Sequence, residues 1–257
     1  MIKVIIIGSG NVAQHLINAF QTTQNSGHPI ELVQVYARNK ETLLHLVAPN
    51  KITTNYSDLQ EAHLYILAVS DDALPEVSNA LPFSNRLVAH TSGSAPITVL
   101  NDRNKRAVFY PLQTFTKNKA ITFKTIPICL ETENSADFET VKQIASLLSD
   151  QAIAINSQQR KALHVAAVFA NNFTNHLYQL ANAICQEHQV PFGILEPLIQ
   201  ETAQKIQHIT PQQAQTGPAK RKDATTIEAH LEFLTDQNQQ NIYTLLTQSI
   251  QKNGKKL

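Results

Sequence analysis

The sequence predicts an α/β domain with a doubly wound, mostly parallel sheet, followed by an all-α domain. Up to about residue 155, short Val/Ile/Leu-rich runs alternate with longer, more polar segments, the pattern of parallel strands joined by crossover helices. The first of these runs leads directly into a glycine turn, which is how a ligand-binding strand–turn–helix unit begins. After Asn156 the texture changes, and Gln158 to Cys185 carries neither glycine nor proline. The expected division is therefore residues 1–155 for the sheet domain and 156–257 for the helical one.

Taken in order, strands are expected at Lys3 to Ile7, Glu31 to Tyr36, Leu64 to Val69, Leu87 to His90 and Ala107 to Tyr110. Ile126 to Leu130 and Ala152 to Ile155 follow as later strands, with a helix over Ala136 to Leu148 between them. One long helix is predicted over Gln158 to Cys185, with apolar residues at helical spacing through Leu163, Ala166, Ala170, Phe173 and Leu177. Further helices are expected at Phe192 to His208 and Thr226 to Lys252, separated by a Thr210 to Asp223 loop that holds two prolines and a glycine.

Composition narrows the function. The 257 residues suffice for one large or two modest cores, and 42% apolar with 16% charged content suits a folded globular chain. Twenty-one basic against twenty acidic side chains leave a net charge of +1, which favours no nucleic acid or other polyanion. Cys129 and Cys185 stand far apart and outside any Cys/His ligand pattern, so neither a metal site nor a disulfide framework is expected. The Val4 to Ile7 run is too short for a leader or a membrane span, and a cytoplasmic protein is the expectation.

The most informative motif is Val4-Ile5-Ile6-Ile7-Gly8-Ser9-Gly10-Asn11-Val12-Ala13, a buried strand running into GxGxxA and then a helix through Leu16 and Phe20. Gly8 permits the tight turn, Gly10 lets the backbone approach a pyrophosphate, and Ala13 stands where helix and strand pack closely. Amides at the helix start then face the phosphates, favoured by the helix dipole. Gly8, Ser9, Gly10, Asn11 and Val12 are thus the expected dinucleotide cradle.

The second strand ends at Tyr36-Ala37-Arg38-Asn39-Lys40, where an NAD enzyme usually offers an acid to the adenosine ribose. Arg38 can instead pair with a 2′-phosphate, with Asn39 and Lys40 beside it, so NADP is the expected cofactor. The plainer alternative makes Arg38 and Lys40 the solvated start of the next helix. Val69 and Ser70 end one strand, Thr91 and Ser92 follow another, and all four are expected to edge the cofactor. Asp72 is as well suited to capping the next helix.

Five segments carry a family resemblance: Gly8 to Ala13, His90-Thr91-Ser92-Gly93-Ser94, Tyr110-Pro111-Leu112-Gln113-Thr114-Phe115, His164 to Phe173, and Gly217 to Asp223. On them the chain resembles the pyrroline-5-carboxylate reductase and 6-phosphogluconate dehydrogenase superfamily. More closely, it resembles bacterial NADP oxidoreductases pairing a Rossmann-like domain with a C-terminal helical domain of unknown function. The resemblance implies an NADP-dependent oxidoreductase and, from related members, a symmetric homodimer. The chain also departs from relatives. The KxxxN pair of hydroxyacid dehydrogenases is absent, since Lys161 is followed four places later by Val165, and so is the threonine-rich C-terminal signature of true pyrroline-5-carboxylate reductases.

At about 100° per residue, Lys161, His164, Asn171 and Asn175 share one sector of the long helix, opposite Leu163, Ala166, Phe173 and Leu177. Facing the cofactor, that stripe would supply catalysis, with His164 exchanging a proton and the asparagines orienting a carbonyl, imine or carboxylate. Facing water, it would be an ordinary solvated face. Arg221 is the candidate anchor for an anionic substrate, and Gln113 and Thr114 are candidate substrate contacts. Thr225 with Glu228 reads as a capping box for the last helix. Expected, then, is hydride transfer between NADP and a small, anionic carbonyl or imine compound; the alternative is a non-catalytic NADP(H)-binding sensor or interaction module.

Overall fold

The computed structural model describes residues 1–117 and 119–253. Their contacts group into two compact units, Met1–Asn171 and a second that begins at Asn172.

In the first unit, β1 (Ile2–Ile7), α1 (Asn11–Asn25) and β2 (Ile30–Tyr36) form the opening βαβ unit. They are followed by β3 (Ile52–Thr53), β4 (Leu64–Leu67), α2 (Leu74–Ala80), β5 (Leu87–His90) and β6 (Lys105–Pro111). Then come β7 (Ile128–Thr132), α3 (Ser135–Leu148), β8 (Ala152–Ala154) and α4 (Ser157–Ala167). The eight strands lie in the order β3-β2-β1-β4-β5-β6-β7-β8. The order reverses at β1, between β2 and β4, which is the topological switch point where doubly wound sheets bind ligands. All neighbouring pairs are parallel except β6 with β7.

β1 shows why the sheet is buried on both faces. Val4 and Ile6 belong to one apolar cluster with Leu16 and Phe20 of α1, whereas Ile5 and Ile7 belong to another with Leu67, Leu74 and Val88. Alternate side chains of one strand therefore serve opposite layers, which explains an unbroken apolar run in the sequence. A third, smaller cluster holds Val108, Tyr110 and Cys129, with Leu163 of α4 packed against it.

The second unit is helical: α5 (Thr174–Glu187), α6 (Glu196–Lys205), α7 (Pro211–Ala214), α8 (Pro218–Arg221), α9 (Ala224–Phe233) and α10 (Gln237–Asn253).

Five sequence expectations need correction. The single helix over Gln158 to Cys185 is interrupted by a π-helical segment, Val168–Phe173, between α4 and α5. An i→i+5 turn advances each residue less than 100°, so the one-sector placement of Asn171 and Asn175 with Lys161 and His164 does not survive it. The Thr226 to Lys252 helix is two helices, because Asp236 starts a second one by accepting from the Gln239 amide at 2.8 Å. The Phe192 to His208 helix is a 3₁₀ turn over Phe192–Leu195 followed by α6, and the Thr210 to Asp223 loop contains α7 and α8. The proposed Thr225/Glu228 box is replaced by Asp223, which caps α9 by accepting from the Thr226 amide at 3.2 Å and its hydroxyl at 2.9 Å.

Candidate active site

β1, β4, β5 and β6 run parallel, so the residues that follow their carboxyl ends share one edge of the sheet. Gly8 opens that edge. Its amide donates to Tyr36 O at 2.9 Å and its φ is +133°. A Cβ at this position would lie 2.2 Å from the Ala68 carbonyl oxygen, so only glycine fits between β1 and β4. Gly10 caps α1 with no side chain of its own, and nothing comes within 4 Å of where its Cβ would be. The first-turn amides of α1 therefore open toward free space, the arrangement a pyrophosphate requires.

A cavity of about 650 Å³ lies over this turn. It is lined by Gly8, Ser9, Gly10, Asn11, Val12, Arg38, Val69 and Ser70 among the expected cofactor residues. Asn39, Thr91 and Ser92 do not line it. Asn39 accepts from the Glu41 amide at 3.0 Å and so caps a 3₁₀ turn over Lys40–Thr42. Thr91 donates to Leu67 O at 3.4 Å, and Ser92 Oγ accepts from the amides of Ser94 and Ala95 at 3.1 and 2.9 Å. These two hydroxyls build the loop after β5. Asp72 does not cap α2, whose N-cap position is Ala73 with no side-chain hydrogen bond.

Beyond the expected residues, the cavity is also lined by Tyr36, Tyr56 and Glu76, among others. The two tyrosine rings stack with centroids 4.1 Å apart and an 11° tilt. Burial, together with hydrogen bonding to Tyr36, pushes the Tyr56 phenol well above its ordinary range. Arg38 projects beside this aromatic wall, exposed and, among the described residues, in no ion pair. The cavity volume, the glycine turn and the free guanidinium together suit a dinucleotide carrying a 2′-phosphate.

Further along the same edge, His164 of α4 meets Tyr110 of β6, with 3.1 Å between the Tyr110 hydroxyl and His164 Nδ1. His164 is half-buried, whereas Lys161 and Asn171 are exposed. Behind them lies Arg160, fully buried and ion-paired with Glu131. Its guanidinium donates to Ala95 O at 2.5 Å, tying α4 to the loop after β5. His90, also fully buried, accepts from the Ser92 amide through Nδ1 at 3.1 Å. Burial, aided by the Arg160 charge, pushes the His90 imidazole down to about 4, so it is neutral at physiological pH.

Gln113 and Thr114 are exposed on the segment after β6. That segment is held to α1, where Asn11 donates to Phe115 O at 3.1 Å and His15 pairs with Thr116 O at 3.0 Å. In the second unit, Asn175 and Arg221 are both exposed, with an Arg221 amino group 3.9 Å from the Asp223 carboxylate. Among the described residues, no group of three or more His, Cys, Asp or Glu is placed to hold a metal ion.

Residues 3–106 match the family model "NADP oxidoreductase coenzyme F420-dependent", and residues 126–250 match a domain of unknown function, DUF2520. A Bacteroides fragilis protein assigned as an NADP oxidoreductase is 37% identical over 98% of both chains, with a TM-score of 0.85. The chain belongs to this NADP oxidoreductase family. A Thermotoga maritima protein shares the fold at 20% identity, 98% coverage of both chains and a TM-score of 0.74. So does an Aspergillus terreus reductive aminase, in complex with NADPH and ethyl levulinate, at 14% identity, 98% and 93% coverage and a TM-score of 0.70. No curated protein matches. This NADP oxidoreductase therefore carries its cofactor cradle on a Rossmann-like sheet and joins it to a helical C-terminal region. No helix among its described residues is long and apolar enough to cross a membrane.

Proposed function

We propose that this oxidoreductase reduces a small, anionic carbonyl or imine compound, with His164 as proton donor. When bound, NADPH supplies the hydride. His164 gives a proton to the oxygen or nitrogen on which negative charge develops. Lys161 adds positive charge beside it. Gln113 and Thr114 are the proposed substrate contacts. Arg38 holds the cofactor's 2′-phosphate, and Thr91 and Ser92 support the nicotinamide end through the loop they build.

The observation that carries this reading is the His164–Tyr110 pair on the strand edge that also bears the glycine turn. A histidine that is half-buried and hydrogen-bonded at the ligand-binding edge of such a sheet supports the general-acid role. His164→Ala should lower turnover by about 10² to 10⁴-fold and leave NADPH affinity unchanged, because the Gly8 turn is undisturbed. Absorbance of NADPH, followed over a panel of carboxylated ketones and cyclic imines, finds the substrate and then makes the comparison. Wild-type turnover in the variant would remove His164 from the chemistry.

We also propose that the active form is a cytoplasmic homodimer assembled through the helical unit. Ile194, Leu198 and Leu245 are each more than 60% exposed there, and apolar surface of this kind is ordinarily covered by a partner.

A further inference from the structure

Tyr110 stands near the carboxyl end of β6, almost fully buried beside Cys129 and Leu163. Its ring meets the His164 imidazole edge to face, with centroids 6.1 Å apart and planes at 69°. Burial pushes the Tyr110 phenol up to about 12, with the nearby Arg160 charge partly offsetting the rise. The hydroxyl therefore keeps its proton throughout the neutral range.

Gly93 backs both rings. A Cβ there would lie 2.5 Å from His164 Nδ1, 2.8 Å from His164 Cγ and 2.8 Å from Tyr110 Cζ. The obstacles are a ring held by a hydrogen bond and a ring buried in the core, neither of which can move aside cheaply. Residue 93 thus has no room for a side chain because the His164–Tyr110 pair occupies the space.

A hydroxyl both donates and accepts. Tyr110 can accept Nδ1–H from the imidazolium and, once Nε2 has given up its proton, from the neutral imidazole that keeps its proton on Nδ1, with the two heavy atoms unmoved. The ring then keeps one orientation in both charge states, and Nε2 points away from Tyr110 in each. This is what a proton donor needs if Nε2 is to release a proton and take up another without turning over.

We infer that Tyr110 is the positioning residue for His164, fixing Nδ1 so that Nε2 is the atom offered to substrate, in space that only glycine at position 93 leaves open. The inference rests on the assignment of His164 as proton donor. Tyr110→Phe keeps the ring and its packing and removes only the hydroxyl, whereas Gly93→Ala removes no polar group and displaces the pair.

The full chain, labelled with ¹⁵N-histidine and saturated with NADPH, is compared with both variants by NMR at a pH where the ring is neutral. In the wild type, neutral His164 should carry its proton on Nδ1, donated to the Tyr110 oxygen, with Nε2 unprotonated. In Tyr110→Phe the two nitrogen signals should move toward those of a free, tautomer-averaged imidazole, and Gly93→Ala should move them the same way. On a compound that the wild type reduces, kcat of either variant should fall about 10- to 100-fold, with KM and NADPH affinity nearly unchanged. Unaltered His164 signals in Tyr110→Phe would overturn the positioning role while leaving the proton-donor reading intact. Shifted signals together with full turnover in His164→Ala would instead bring down the proton-donor reading, and the positioning role with it.

Discussion

The two units of this chain spend their apolar residues differently. In the first, Leu16, Phe20, Ile66, Val88 and Phe109 are all fully buried, and the parallel strands are covered on both faces. In the second, Ala219 is the one buried hydrophobic residue among the described positions, while Phe173, Leu177, Val190, Ile194, Leu198, Ile206 and Phe233 are each more than a third exposed. A sheet flanked by helices closes a core within one chain. Amphipathic helices close theirs only when every apolar face finds another, and here a second protomer is the proposed complement.

Truncating a leucine in each unit puts this contrast to the test and should give the largest effect. Leu16→Ala removes a fully buried side chain from the packing of α1 on the sheet, and should lower unfolding free energy by about 2–5 kcal/mol in urea denaturation. Leu198, 63% exposed, loses little intrachain packing on truncation, so in the monomer Leu198→Ala should cost about 0.5 kcal/mol or less. Leu198→Asp should act on assembly instead. Light scattering should find the wild type at twice its 28.5 kDa chain mass and the variant at the chain mass, with the first unit still folded. A wild type that is monomeric at micromolar concentration would refute the dimer and leave the leucine comparison standing.

The first unit was also the more legible in sequence, and for a physical reason. Strand, glycine turn and helix from Val4 to Phe20 are consecutive, so local pattern alone specifies them. The antiparallel β7 was not legible in that way, because an apolar run carries no sign of its direction. Nor was β3, which is two residues long. The π-helical segment over Val168–Phe173 contains no glycine or proline to announce it. Asp236 is an N-cap residue type, a local signal for the start of α10 that lies inside the Thr226 to Lys252 stretch. At the site, Tyr110 and His164 are 54 positions apart, and Arg160 with Glu131 are 29 apart. Pairings at that range follow from topology, and a lone arginine in sequence reads as surface rather than as a fully buried anchor.

A second, smaller effect separates the units by pH. Among the described residues, His90 is fully buried and the histidines of the second unit are all exposed. The folded-state value of His90 is about 4 against 6.5 for the free side chain, so between these values the unfolded chain binds the extra proton. The stability this group contributes is therefore fully present above about pH 6.5 and is lost as pH falls through 4. At about 1.4 kcal/mol per unit of difference, the loss amounts to roughly 3 kcal/mol at most. Urea denaturation of wild type and His90→Asn at several pH values measures it. The wild-type curve should fall more steeply across this window, and parallel curves would place the acid sensitivity elsewhere.

The smallest expected effect concerns which nicotinamide cofactor the first unit prefers, and it asks whether a single exposed residue of an otherwise closed domain sets specificity. Arg38 lines the cavity at the end of β2 in no ion pair among the described residues, beside the stacked Tyr36 and Tyr56 and with Glu76 on the same cavity wall. A guanidinium can form two parallel hydrogen bonds to a phosphate, whereas a ribose hydroxyl offers it far less. NADPH should accordingly bind at least about tenfold tighter than NADH, a difference of about 1.4 kcal/mol. Arg38→Asp should abolish that preference by repelling the 2′-phosphate, and should improve NADH binding if the new carboxylate accepts from the ribose hydroxyls. Fluorescence titrations of both proteins with both cofactors decide the matter. Equal affinities in the wild type would reduce Arg38 to a solvated residue at the end of a strand, while a preference that survives Arg38→Asp would move 2′-phosphate recognition to the tyrosine wall or to Lys40.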